Sequence, residues 1–257
     1  MRRILDILAP LVLAAVLLGA WEAACRALSV PTYFLPKPSE VWAAILARGP
    51  ILLGSAAATL SLALTALVLA AACAISLALL AGFSRPFERG IRPLAVTLQV
   101  TPIVAIAPLV VIWSGLDHAN RAVVTLAAVV AFFPIFSGAL TGLKATDPDL
   151  DRLFDLYQAR PLQRLVRLKL PTATPFLLEG LRVGLGLALI GEVVAEFVAG
   201  SGQTQGLAWR ILESQNRLRI ADTLAAVVVL AALAVALNAA FALIERAAIR
   251  RWRGIGL

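Results

Sequence analysis

The sequence is poor in charge, cysteine and histidine, and each shortage removes a class of protein. Only 15% of its 257 residues are charged, against about 25% in a soluble domain. Too few polar side chains remain to cover the outside of a soluble enzyme of this length. The two cysteines, Cys25 and Cys73, lie in separate apolar segments. They give neither a disulfide framework nor a metal-ligand spacing, and they read as buried small hydrophobes. The single histidine, His118, sits in a short polar loop with Asp117 and Asn120, so no histidine site lies at membrane depth for an intramembrane enzyme. Ser201–Gly206 and Gly49–Gly54 hold glycines but not the Gly-Lys-Ser/Thr of a phosphate-binding loop. The chain carries no nucleotide site of its own.

What it has in plenty is apolar surface. Hydrophobic residues make up 61% of the chain and the mean hydropathy is +0.90. That excludes a disordered protein, a coiled coil and a collagen, and indicates an integral membrane protein. A span needs about 20 largely apolar residues. Six runs qualify: Ile4–Trp21, Ser55–Ala81, Leu94–Trp113, Ala122–Leu143, Phe176–Val198 and Ala221–Ile244. They are rich in Ala, Leu and Val without strict alternation, which argues for helices over a β-barrel. The expectation is an all-α protein with six transmembrane helices forming one domain over residues 1–257. The N-terminal run is read as a retained helix: it is long for a signal peptide, and Glu22 spoils a lipoprotein-type cleavage box.

The net charge of +8 is not a nucleic-acid footprint. With the N-terminus placed in the cytoplasm, 15 of the 23 basic residues fall in inside segments and 7 outside, Arg182 lying within a span. Both termini are then cytoplasmic. The first external connection holds Pro31, Pro36 and Pro38, which predict an extended stretch followed by a short interfacial helix from Ser39 to Arg48. The external segment Ala199–Ile220 is rich in glycine and polar residues. Residues 144–175 form the longest cytoplasmic connection. It places Asp147, Asp149, Asp151 and Asp155 before Arg160, Arg164, Arg167 and Lys169, an order that suits a helix dipole. Leu150, Leu153, Phe154 and Tyr157 recur at helical spacing. Such a stripe is either a lipid-surface helix or a partner-docking helix, and the mixed charge favours docking.

Several runs carry a family resemblance. Arg164-Leu165-Val166-Arg167-Leu168-Lys169-Leu170-Pro171 resembles the end of the cytoplasmic signature loop of ABC-importer permeases. Leu35-Pro36-Lys37-Pro38-Ser39-Glu40-Val41-Trp42, Thr101-Pro102, Phe132-Phe133-Pro134-Ile135 and Gly191-Glu192-Val193-Val194-Ala195-Glu196-Phe197 resemble the nitrate/sulfonate/taurine-type branch, in the right order along nearly the whole chain. One departure stands out. Where that loop usually opens Glu-Ala-Ala this chain has Arg152-Leu153-Phe154, and where it has a turn glycine this chain has Gln158. The resemblance implies a type I ABC importer-like permease fold in the bacterial inner membrane. It implies a second copy of the chain, two cytoplasmic ABC ATPase subunits that bind ATP and Mg, and an external solute-binding protein that the segment Ser201–Trp209 would meet. Alternating access would move a sulfonate, taurine, nitrate, or a pyrimidine or flavin vitamin precursor. The chain would hold no cofactor and catalyse no covalent step. The rival is an ATP-independent secondary transporter or channel, against which the charged connection and the Leu-Pro signature argue.

The coupling candidates that the resemblance selects are Asp151, Leu153, Phe154, Asp155, Leu156, Tyr157, Gln158 and Ala159, flanked by Arg160 and Arg164. Phe154 and Tyr157 are the expected anchors, because aromatics carry a large share of interface energy. Glu192 and Glu196 lie four apart on one face of the fifth span. Ionisable groups at this depth face a cavity or a partner. They either border the translocation pathway, lie near the headgroups, or pair with Arg182 or Arg210. Gln99, Thr101 and Asn238 line the pathway or hydrogen-bond between helices. Gly138 with Gly142, and Gly180 with Gly184, have the small-residue spacing of close helix packing. Pro102, Pro108 and Pro134 are points where the backbone can kink.

Overall fold

The apolar runs fold as helices because hydrocarbon offers the backbone no partner outside the helix itself. In the computed structural model, which describes residues 2–115, 118–199 and 205–253, no strand forms among the described residues. The elements are α1 (Arg2–Ala27), α2 (Pro38–Phe83), α3 (Arg85–Val100), α4 (Ile103–Ser114), α5 (Ala119–Lys144), α6 (Pro148–Leu156), α7 (Pro161–Arg164), a π-helical stretch (Leu165–Lys169), α8 (Leu170–Ala199), α9 (Leu207–Asn216) and α10 (Ile220–Arg253).

Among the described residues, three helices are long and apolar enough to cross a membrane: Pro38–Phe83, Ala119–Lys144 and Ile220–Ile249. The expected fifth span, in α8, is long enough but carries Glu179, Arg182, Glu192 and Glu196. The expected third span, Leu94–Trp113, is not one straight helix. α3 and α4 meet at 100°. Thr101 is extended (φ −69°, ψ 124°), as a residue before proline prefers, and Pro102 supplies no N–H to continue the helix. At 12 residues, α4 is about 18 Å long and cannot span alone. Pro108 and Pro134 sit inside continuous helices.

A second correction concerns α2. The interfacial helix expected over Ser39–Arg48 and the span expected over Ser55–Ala81 are one helix of 46 residues that runs through Pro50. The cysteines also differ from expectation: Cys25 is buried, but Cys73 is exposed on α2. An apolar residue of a span need not be covered by protein, since lipid is as apolar as a core.

The chain divides into two compact units. The first comprises residues 1–57 and 205–232. In it, Glu22 accepts from the Ser39 backbone N–H (3.0 Å) and hydroxyl (2.9 Å), fastening α1 to the start of α2. Arg48 pairs with Asp222 at 2.9 Å. Arg210 donates to Ser55 Oγ at 3.0 Å and pairs with Glu213 at 2.9 Å.

The second unit comprises residues 58–204 and 233–257. Its centre is the packing of α5 on α8, where glycines let the two backbones approach. A methyl group built on Gly138 would lie 2.6 Å from the Phe176 carbonyl oxygen, and one on Gly180 would lie 2.7 Å from that of Pro134. Gly142 faces Ala173, and Gly184 faces Ile135, as closely. Around this contact, a stripe of Ala66, Ala70, Ala74 and Ala78 on α2 joins Ala127, Ala131, Ile135 and Phe136 of α5 in one buried cluster.

Candidate functional site

Two surfaces of the second unit concentrate polar chemistry. The first is the connection after α5. Asp147 caps α6, its carboxylate accepting from the Asp149 N–H at 2.8 Å, and Asp149 and Asp151 fill the first turn, where the helix dipole favours acids. α6 ends in a Schellman turn: the Ala159 N–H reaches the Phe154 carbonyl (3.0 Å) and the Gln158 N–H that of Asp155 (2.9 Å). Gln158 closes it in the left-handed region at φ 48°. Arg164 then turns back onto α6, pairing with Asp155 and, at 3.5 Å, with Asp151.

This folding sorts the coupling candidates. Leu156 (81% exposed) and Tyr157 (80%) project outward, with Leu153 and Leu150 beside them. Phe154 is half-buried and, with Leu153, Tyr157, Ala159, Gln163 and Arg167, lines a cavity of about 340 Å³. Both expected anchors line this cavity, Tyr157 being the exposed one and Phe154 the half-buried one. Asp151, Asp155 and Arg164 hold the turn together. The backbone N–H of Arg160 donates to Gln163 Oε1 at 2.9 Å, which starts α7.

The second surface is a cavity of about 350 Å³ where α3, α5 and α8 meet. Gln99 lines it, together with Ser137, Thr141 and Glu179 among its polar groups and Phe133 and Phe176 among its apolar ones. Glu179 is a cavity-lining residue that sequence reasoning missed. The available signal was positional: it is an acid in the first turn of the expected fifth span, on the same helix face as Phe176, Val183 and Leu187.

The other pathway candidates are dispersed. Thr101 donates to the Thr97 carbonyl at 2.7 Å at the end of α3. Asn238 accepts from Arg182 Nε at 3.4 Å, and Arg182 pairs with Glu245 at 3.7 Å. Glu192 and Glu196 are both 0% exposed, so neither carboxylate reaches the surface of the chain in this conformation. Neither oxygen of Glu192 has a partner in hydrogen-bonding geometry among the described residues. Arg182 and Arg210, considered as their counter-charges, are engaged by Glu245 and Glu213. Ser201–Thr204 of the segment expected to meet a binding protein lie outside the described residues, as does Asp117 beside His118.

Outside the apolar run of α3, Glu88 is gripped by Lys144 from the last turn of α5 and by Arg92 at 3.3 Å. The hydrogen bond from Lys144 holds the Glu88 carboxyl below its ordinary range, with the charges of Lys144 and Arg92 adding to it.

Comparison with known proteins bears on this arrangement. Residues 74–254 match the binding-protein-dependent transport system inner membrane component model. The chain belongs to that family. It is 32% identical to the formylaminopyrimidine transport permease protein of Halalkalibacterium halodurans, over 81% of this chain and 82% of that one. It is 30% identical to the taurine transport system permease protein of Escherichia coli, over 93% of this chain and 88% of that one. Among solved structures it resembles an amino acid ABC transporter, with a TM-score of 0.64, 16% identity, and coverage of 80% of this chain and 96% of that one. At that identity the likeness is one of fold, the type I importer permease fold. As a binding-protein-dependent transport inner membrane component, the chain is an ABC permease subunit and a multi-pass inner-membrane protein.

Proposed function

We propose that this permease works as a pair of identical chains in an ATP-driven importer. Two separate ABC ATPase subunits dock on the α6 turn from the cytoplasm. Both termini lie on that same side, where the basic residues gather. An external solute-binding protein delivers a small organic solute, and alternating access carries it inward. ATP and Mg stay on the ATPase subunits, so this chain's contribution is the path and the coupling.

The observation that carries this reading is the α6 turn itself. Leu156 and Tyr157 stand four-fifths exposed on a capped element between α5 and α8, and an exposed tyrosine is suited to anchoring in a groove on a partner. Among the pathway candidates, Gln99 lines a cavity. Thr101 and Asn238 serve the break after α3 and the Arg182 cluster. The reading is tested by co-purifying the permease with its ATPase subunit. Tyr157→Asp should abolish the association, at a cost above about 2 kcal/mol, and transport should stop with it. Retained association and uptake would assign the turn to the lipid surface instead.

A further inference from the structure

We propose that the cavity bounded by Glu179 is a solute-recognition site within this chain, and that it selects a flat solute presenting a cationic or N–H-rich head over an anion. The proposal rests on the permease reading above and deepens it.

The first argument is what the polar side chains leave undone. Gln99, Ser137, Thr141 and Glu179 come from three helices to one cavity of about 350 Å³, a volume suited to a small-molecule ligand. None of the four makes a side-chain hydrogen bond or ion pair with a described residue. Elsewhere the helices behave differently. Thr65, Thr97, Thr101, Thr125, Thr172 and Thr174 each donate to the carbonyl four residues back, at 2.7–3.0 Å. Ser137 and Thr141 have the same option within α5 and do not take it. Their hydroxyls stay available to a guest.

The second argument is charge. The other exposed carboxylates whose side chains are described are held in ion pairs or caps, as Asp149 is by Arg152 and Asp155 by Arg164. Glu179 is not. A carboxylate facing a cavity within a span is costly unless something charged or strongly donating visits it. Arg182, one turn on along α8, is held by Glu245 and Asn238, and the cation of the neighbouring space is Arg92. It lines an adjoining cavity of about 240 Å³ that shares Phe133, Ser137 and Thr141, but Glu88 already holds it at 3.3 Å. An anion entering here meets an engaged cation and an unpaired anion; a cation or amino group meets a free carboxylate. Phe133 and Phe176 supply apolar walls, and aromatic walls suit a flat or cationic group. The amide of Gln99 can donate or accept at the rim.

The test uses the permease assembled with its ATPase subunits in lipid nanodiscs, with benzamidine and cytosine as flat donor probes and ethanesulfonate as the anionic one. Benzamidine or cytosine should bind the wild-type complex, and Glu179→Gln should weaken that binding about tenfold, the value of one charge-assisted hydrogen bond. Glu179→Asp should retain part of it, and the pair Ser137→Ala with Thr141→Val should lose a few-fold. Melting temperatures identify any variant that fails to fold, in which case the remaining variants decide. Equal affinity in wild type and Glu179→Gln, no binding of either donor probe, or ethanesulfonate binding that disappears in Arg92→Gln would each overturn the proposal. ATPase association and hydrolysis are read on the same preparation. Their loss would sink the permease reading while leaving the probe result to stand or fall alone.

Discussion

The Lys144 ammonium at the end of α5 donates to both carboxylate oxygens of Glu88 in the first turn of α3. This contact joins two helices at the charged margin of the second unit, and it depends on Glu88 being ionised. The Glu88 carboxyl titrates below its ordinary value of 4.5, so its contribution is complete above that value and is lost as pH falls through the lowered one. Melting curves of wild type and Glu88→Gln should differ at neutral pH, by no more than about 1 kcal/mol for so accessible a pair. The two curves should converge below pH 4.5.

Gln158 offers the opposite case, a residue at odds with its backbone. It closes a Schellman turn at φ 48°, where a side chain costs about 1 kcal/mol and glycine fits freely. Gln158→Gly should raise the melting temperature or leave it unchanged. Gln158→Val, β-branched in the same conformation, should lower the melting temperature, at a stability loss of more than about 1 kcal/mol. The pair of thermal shifts checks both signs.

On α8, two glycines serve as a matched experiment. A Cβ on Gly180 meets the Pro134 carbonyl oxygen at 2.7 Å, whereas one on Gly186 meets nothing within 4 Å. Gly180→Ala should destabilise by about 1–3 kcal/mol as α5 and α8 are forced apart. Gly186→Ala should stabilise by about 0.5–1 kcal/mol through helix propensity. Chemical denaturation in detergent would compare them, and similar losses for both would refute the close-contact explanation.

Glu192 is a fully buried carboxyl without a geometric hydrogen-bond partner among the described residues. An unsatisfied buried polar group costs about 1–3 kcal/mol. Glu192→Leu should therefore melt higher than wild type, and a fall in melting temperature would show that the carboxyl is well satisfied. If uptake also falls in that variant, the stability cost of the carboxyl is retained for transport.

The helices, the capped acidic start of α6 and the close glycine approach were legible because each is a short-range pattern of residue types. Apolar composition revealed that segments are helical but not how they join. Pro50 lies within α2 while Pro102 ends a helix, and both look alike in a hydropathy reading. Thr101 takes the extended conformation favoured before a proline, whereas Gly49 stays helical before Pro50. Glu192 and Glu196 drew attention because two acids in an apolar run are conspicuous. Glu179 did not, since it sits near the run's edge and only the folding of α3 and α5 beside it makes a cavity. Phe154 and Tyr157 share a stripe in sequence and line one cavity, but α6 stops between them, and Tyr157 is left far more exposed than Phe154.

From Pro161 the chain stays helical through α7, the π-helical stretch and α8 to Ala199, while Arg164 clasps α6 through Asp151 and Asp155. No loop interrupts the path from Pro161 to the helix that carries Glu179. Under the proposed docking, a partner that pulls on Tyr157 would pull on a crank whose far arm is the cavity wall.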